Sequence, residues 1–228
     1  SKDCEQRSDV TLRPQKNSSG TVLHDNDGAK ALKIKRAVGL CVFAFVLNSS
    51  YSLARPAVES LFLEAHTAVR LPVVWIVVAL TMILAVAVYN RLVKERNLIL
   101  VYGGAAGISA AVLAALLLAR KMEIPCVHYA LYAWKDVYMV VLIEIFYTYA
   151  NTVFPIQTAR WVYGMFGAFG AAGGILGNLF VGEVAQWAGS VAALWGVLGL
   201  LVLSFLLSLV FARIAGQVAH DPMRGRPS

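Results

Sequence analysis

Five runs of the chain contain no Asp, Glu, Lys or Arg: Ala37–Ala54, Leu71–Tyr89, Asn97–Ala119, Trp161–Gly182 and Val184–Ala212. Each approaches or exceeds the ~20 residues that an α-helix needs to cross the hydrocarbon layer of a bilayer. A sixth segment, Val137–Phe154, is apolar and aromatic apart from one acid, Glu144, and one amide, Asn151. The last run is longer than one crossing requires, and Gly189 marks the expected start of its helix. The pattern predicts an all-α membrane protein with six transmembrane helices, over about 37–55, 71–90, 97–119, 135–154, 160–182 and 189–213, in a domain of residues 31–215. An even number of spans leaves both termini on one side of the membrane.

Composition agrees with the pattern. Residues of the AVILMFWYC set make up 59% of the 228 residues and charged residues 14%, and the mean hydropathy is +0.67. A soluble domain is nearer ~45–50% apolar even with glycine counted. If the N-terminus faces the cytoplasm, fifteen Lys and Arg fall inside and five outside, which is the asymmetry of a multi-pass inner-membrane protein with cytoplasmic termini. The net charge of +7 then reflects retention of basic loops in the cytosol, and no nucleic-acid partner is needed to explain it. The lipid bilayer is the first partner implied.

Residues 1–30 hold ten charged groups, five of each sign, and no apolar run. They read as a disordered cytoplasmic tail, and 216–228 as a cytoplasmic tail. The leader lacks the hydrophobic stretch of a cleavable signal. Its sequon Asn17-Ser18-Ser19 lies on the cytoplasmic side, away from glycosylation, and the initial Ser leaves room for a longer parent chain. Cys4, Cys41 and Cys126 are too far apart for a CxxC site, so neither a metal nor another cofactor is expected.

At 100° per residue, Asn48, Ser52, Arg55 and Glu59 share one face of the first span. Arg55 and Glu59 are an i,i+4 pair, with Pro56 placed to bend or end the helix. In the fourth span Glu144, Tyr147, Thr148 and Asn151 share a face. An acid at that depth costs ~2.5–3.5 kcal/mol on insertion scales, so it calls for a partner or a wet cavity. Asn48, Ser52, Arg55, Glu144, Tyr147 and Asn151 are therefore the candidate lining of a substrate cavity. Lys135 and Asp136, at the head of the same span, read as outer interface. The fifth span packs Gly164, Gly167, Gly170, Gly173, Gly174 and Gly177 into fourteen residues. Gly167, Gly170, Gly173, Gly174 and Gly177 are candidate helix-packing positions, because small residues four apart let backbones approach closely. Arg160 just before them reads as a cytoplasmic anchor.

An enzyme is not expected. An intramembrane serine protease needs a nucleophile and a histidine within reach, but the nearest string is Gly107-Ile108-Ser109-Ala110. The four histidines, His24, His66, His128 and His220, lie in the tail or loops, which also excludes bis-histidine haem ligation between spans.

Three stretches resemble the ATP/ADP translocase-like nucleotide transporters related to the major facilitator superfamily. These are Tyr51-Ser52-Leu53-Ala54-Arg55-Pro56, the aromatic segment Trp134 to Phe154, and the turn and glycine helix from Gln157-Thr158-Ala159-Arg160-Trp161 to Gly177. The resemblance spans about residues 36–213. It implies a major-facilitator-like half bundle, the N-terminal six-helix half of a twelve-helix carrier, with its first and fourth helices facing a central cavity. It further implies a small-molecule solute, a nucleotide or another organic anion, and a second six-helix half, supplied by a longer chain or by a homodimer. Alternating access about a mid-membrane site would be the mechanism, with Glu144 as a proton- or cation-coupling group. The loop Asn90-Arg91-Leu92-Val93-Lys94-Glu95-Arg96 departs from the facilitator pattern by placing Lys94 where an Asp is usual. The competing expectation is a non-transporting interaction module built on the same half bundle.

Overall fold

The computed structural model describes the backbone of residues 19–92, 97–124, 126–154 and 156–219, and the side chains of 34–91, 97–124, 126–154 and 160–213. Among these residues there are helices and no strands: α1 (Ser19–Ala65), a 3₁₀ turn (Ala68–Arg70), α2 (Leu71–Leu92), α3 (Leu98–Lys121), α4 (Val127–Val153) and α5 (Ile156–Ala219). The chain divides after Arg36 into a leading unit and a helical body, Ala37–Ser228.

Four segments are long and apolar enough to cross a membrane: Ile34–Ala65, Ala68–Arg91, Leu98–Lys121 and Arg160–Arg213. Their outer surfaces are apolar too. Ile76, Leu80, Ile83 and Leu84 of α2 are all more than half exposed, a surface suited to lipid tails and not to water. α4 falls outside the four because Lys135, Asp136, Glu144, Asn151 and its tyrosines dilute its apolar residues.

α5 is helical on both sides of Gly189, whose φ of 79° and ψ of 167° break it. That conformation is essentially reserved for glycine. The contacts of the two arms show what the break does. Along the first arm Gly170, Gly173 and Gly177 meet Asn48, Ser49 and Ser52 of α1 in ascending order. Along the second arm Ser190 meets Ser60, Gly196 meets Leu53, and Phe211 meets Gly39, so the order descends. The first arm therefore runs parallel to α1 and the second antiparallel, and the chain reverses between Gly177 and Ser190. A straight helix of 54 residues would be about 80 Å long, more than twice the hydrocarbon thickness of ~30 Å.

α4 packs against α2 and α3. Leu131, Lys135, Tyr138, Leu142 and Ile145 are buried along one stripe of it, at the alternating spacing of four and three that keeps residues on one helix face. α3 answers with Tyr102, Ala106, Ala110, Leu113 and Leu117 and packs on α5 as well. Asn97 caps α3, its side chain accepting from the Ile99 N–H at 3.3 Å.

Element ends differ from expectation at several places. Helix begins at Ser19 instead of after residue 30, because extending an existing helix avoids the cost of nucleation. Residues 1–18 of the expected tail, with Cys4 and most of the sequon, lie outside the described residues. So do loop positions 93–96, including Lys94, and the tail from 220; the residues from 216 to 219 are helical. α1 also continues through Pro56 to Ala65. The lost hydrogen bond is outweighed by burial on both flanks, where Leu53, Ala54, Ala57 and Val58 are nearly inaccessible. α4 starts at Val127, earlier than the expected 135, because Tyr129 and Tyr132 pack edge-on against Phe62, each at 5.4 Å.

The glycine contacts generate a prediction. A Cβ on Gly173 would fall onto the carbonyl oxygen of Phe45 and lie 2.9 Å from Ser49 Oγ, whereas one on Gly167 would meet nothing within 4 Å. Gly173→Ala is expected to cost about 1–3 kcal/mol through overpacking. Gly167→Ala is expected to be neutral or to stabilise by up to about 1 kcal/mol through helix propensity. Thermal unfolding of the two variants in detergent separates these outcomes.

Candidate functional site

Lys135 lies in phase with Leu131 and Tyr138 on the buried face of α4 and is only 3% exposed. An ammonium so placed must be paired and hydrogen-bonded, and it is. Its Nζ donates to both carboxylate oxygens of Asp136 at 3.0 Å, lies 3.7 Å from Glu59 Oε1 and sits 4.0 Å from the centroid of the Tyr132 ring. Adjacent residues on a helix do not normally face each other, but the flexible four-carbon stem of lysine lets the amine reach its neighbour's carboxylate.

The other charges join through shared atoms. Arg55 Nε donates to Glu59 Oε1 at 3.2 Å, the same oxygen that faces Lys135, and the Tyr51 hydroxyl donates to Asp136 Oδ1 at 3.4 Å. Two cations and two carboxylates thus form one network between α1 and α4. Exposure is graded across it, from 60% for the Arg55 side chain through 37% for Glu59 and 22% for Asp136 to 3% for Lys135. With Leu63, Leu71, Trp75 and Tyr132 these groups line a recess of about 450 Å³, within the size range of small-molecule pockets.

The six residues expected to line a cavity are distributed over several surroundings. Arg55 belongs to the network. Asn48 bonds its own helix, Nδ2 donating to the Ala44 carbonyl at 2.9 Å, and lies beside Gly170; Ser52 lies beside Gly174 and Gly177. Both therefore face the glycine arm. Of the five packing glycines, Gly170, Gly173, Gly174 and Gly177 touch α1, and Gly167 does not. Asn151 accepts a hydrogen bond from the Tyr163 hydroxyl, and Tyr147 lies 5.9 Å from the Tyr163 ring. Glu144 is exposed and makes no ion pair or hydrogen bond among the described residues. It follows Lys135 by nine residues, half a turn in phase, and so lies on the opposite face of α4, away from the network. Thr148 of the same stripe meets the Tyr89 hydroxyl on α2 at 3.3 Å. Arg160 is exposed at the start of the glycine arm.

From sequence, Lys135 and Asp136 read as interface because they stand at the head of an apolar run. The spacing Leu131, Lys135, Tyr138, Leu142 is the signal that puts the lysine on the core face.

A second recess, of about 990 Å³, lies between α2, α3 and α4 and is almost wholly apolar. Two of its polar groups are engaged within the protein: Thr81 Oγ1 donates to the Val77 carbonyl at 2.7 Å, and Trp134 Nε1 to the Ser109 carbonyl at 3.2 Å.

Comparison of the chain with protein-family models, with curated proteins and with solved structures finds no match in any of the three. The network and its surroundings are thus the basis for a functional reading.

Beyond the network, near the end of α1, the His66 and His128 rings meet edge-on at 5.7 Å, and His66 Nε2 is buried without a hydrogen-bond partner among the described residues. His128, at the head of α4, is held below its ordinary 6.5, first by burial and then by Arg120 and His66. A histidine with a depressed folded value contributes stability that is present above the unfolded value and lost as pH falls through the folded one, because the unfolded chain then binds more protons.

Two predictions follow from these geometries. Lys135→Met leaves the partly exposed carboxylates of Asp136 and Glu59 without the buried amine; it should destabilise the protein by about 1–3 kcal/mol, the range for a lost charge-assisted hydrogen bond. Lys135→Met combined with Asp136→Asn should recover much of that loss, and thermal unfolding of both variants checks it. As pH is lowered through and below 6.5, the unfolding midpoint should fall, and His128→Gln should flatten that dependence.

Proposed function

We propose that the chain is a membrane solute carrier of major-facilitator type, a six-helix half bundle that works with a second half by alternating access. The recess around Arg55, Glu59, Lys135 and Asp136 is its solute-facing site. The observation that carries this reading is the buried amine of Lys135, joined to three other charges at the wall of a recess inside a bundle with a lipid-suited exterior. Hydrophobic residues at Lys135 and Asp136 would stabilise a purely structural helix pair as well or better, and intramembrane charges of this kind mark solute and ion pathways.

Two features support six crossings. The reversal of α5 at Gly189 supplies two antiparallel arms, and α4, with its 27 residues, is long enough to span despite its polar groups. In this arrangement both termini are cytoplasmic, and the exposed Glu144, which lipid would not tolerate, faces the second half or the cavity between halves. Glu59 serves both Arg55 and Lys135 through one oxygen, so a change in the distance between α1 and α4 shifts it between two cations. Such a two-position contact suits a cycle in which helices rock. The two positive and two negative charges of the recess do not favour the nucleotide expected from resemblance, since a polyphosphate pathway needs surplus positive charge.

Liposomes carrying the protein, incubated with a polar metabolite extract, should accumulate at least one solute above protein-free liposomes. Glu59→Gln should lower that accumulation tenfold or more while the protein still folds. Absence of any accumulation, or full accumulation by Glu59→Gln, would sink the proposal.

A further inference from the structure

The charges of the recess are not equally available to a ligand. Lys135 is saturated by both oxygens of Asp136, by Glu59 and by the Tyr132 ring. Arg55 engages the protein through Nε alone; its two terminal guanidinium nitrogens have no partner among the described residues, and its side chain is the most exposed of the four. A guanidinium with a free fork binds a carboxylate in bidentate fashion. Within the recess it is the cation open to such a contact.

The accessible negative groups are Glu59 and Asp136, each partly exposed beside the Tyr51 and Tyr132 side chains. Carboxylates next to aromatic rings suit an ammonium, through charge-assisted hydrogen bonds and ring faces. The rest of the wall is Leu63, Leu71 and Trp75. With two charges of each sign, the empty recess is neutral. A net anion or cation would leave one charge without a counter-charge, whereas a ligand that carries both signs leaves the balance unchanged.

Resting on the reading of this recess as the solute site, we propose that its ligand is a zwitterion of amino-acid size with an apolar side group. The carboxylate lies on the terminal nitrogens of Arg55, the ammonium on Glu59 and Asp136, and the side group against Leu63, Leu71 and Trp75. The recess volume of about 450 Å³ accommodates such a molecule.

The test is thermal unfolding of the full chain in detergent at neutral pH with leucine and phenylalanine, their N-acetyl derivatives, their methyl esters, and ATP. The derivatives keep the skeleton and remove one charge each. The free amino acids are expected to raise the unfolding midpoint, and the others not. Arg55→Gln should weaken binding at least tenfold, and Arg55→Lys, which keeps the charge but not the fork, should recover only part of it. Both variants should fold, because Arg55 is exposed and the Lys135–Asp136 pair does not depend on it. A larger shift with an N-acetyl derivative, an ester or ATP would overturn the assignment, as would a response that survives Arg55→Gln or no response to any compound. Liposome accumulation separates the two proposals. Arg55-dependent binding of leucine without accumulation refutes transport and keeps the ligand, whereas accumulation of an anionic solute through Arg55 keeps transport and refutes the zwitterion.

Discussion

The ammonium of Lys135 stands in line with Leu131, Tyr138 and Leu142 on the buried stripe of α4, and the carboxylates of Asp136 and Glu59 are what make that position tenable. An isolated charge there would lose its proton or expel the helix from its packing. Asp136 comes with α4 itself, but Glu59 and Tyr51 come from α1, so the amine is satisfied in full only when the two helices meet in one register. The network therefore specifies alignment as well as occupying a recess, which is the best-attested use of buried polar groups.

The rest of the bundle holds α1 in that register. Gly173 and Gly177 bring the first arm of α5 so close that its backbone touches α1, and Ser49 donates to the Gly173 carbonyl at 3.0 Å. Ser190 of the returning arm meets Ser60 at 3.0 Å, one residue beyond Glu59. Where lipid offers no hydrophobic drive, close backbone packing and small hydroxyl contacts are the available adhesives. The bend at Gly189 lets a single continuous segment supply both sides of the grip.

Much of this arrangement is legible in the amino-acid pattern, and the rest is hidden for a definable reason. Charge-free runs locate the apolar helices because insertion into a bilayer penalises each charge separately. Glycine density marks the arm that approaches α1, and Gly189 stands where the last run is too long for one crossing. Periodicity places Asn48, Ser52, Arg55 and Glu59 on one face, yet the structure gives that face two different neighbours, the glycine arm for the first pair and the head of α4 for the second. A helical phase gives the direction of a side chain from its own axis and says nothing of what stands opposite. For the same reason Glu144, singled out by its depth, proves to lie away from the network, while Lys135, assigned by its position at the end of a run, proves to be its centre. Helix ends such as Ala65 and Val127 are set by tertiary contacts, here Phe62 with Tyr129 and Tyr132, that no local pattern contains.

The claim on which the account turns is that the Lys135 amine is charged, buried and shared between α4 and α1. Solid-state NMR of the protein in lipid bilayers, with 15N-lysine and 13C-glutamate, measures it directly. The expected result is a Lys135 ammonium resonance with a strong dipolar contact to the Glu59 carboxylate carbon, consistent with the 3.7 Å between Nζ and Oε1, and slow exchange with water. A Lys135 amine in rapid exchange with water and without contact to Glu59 would contradict it.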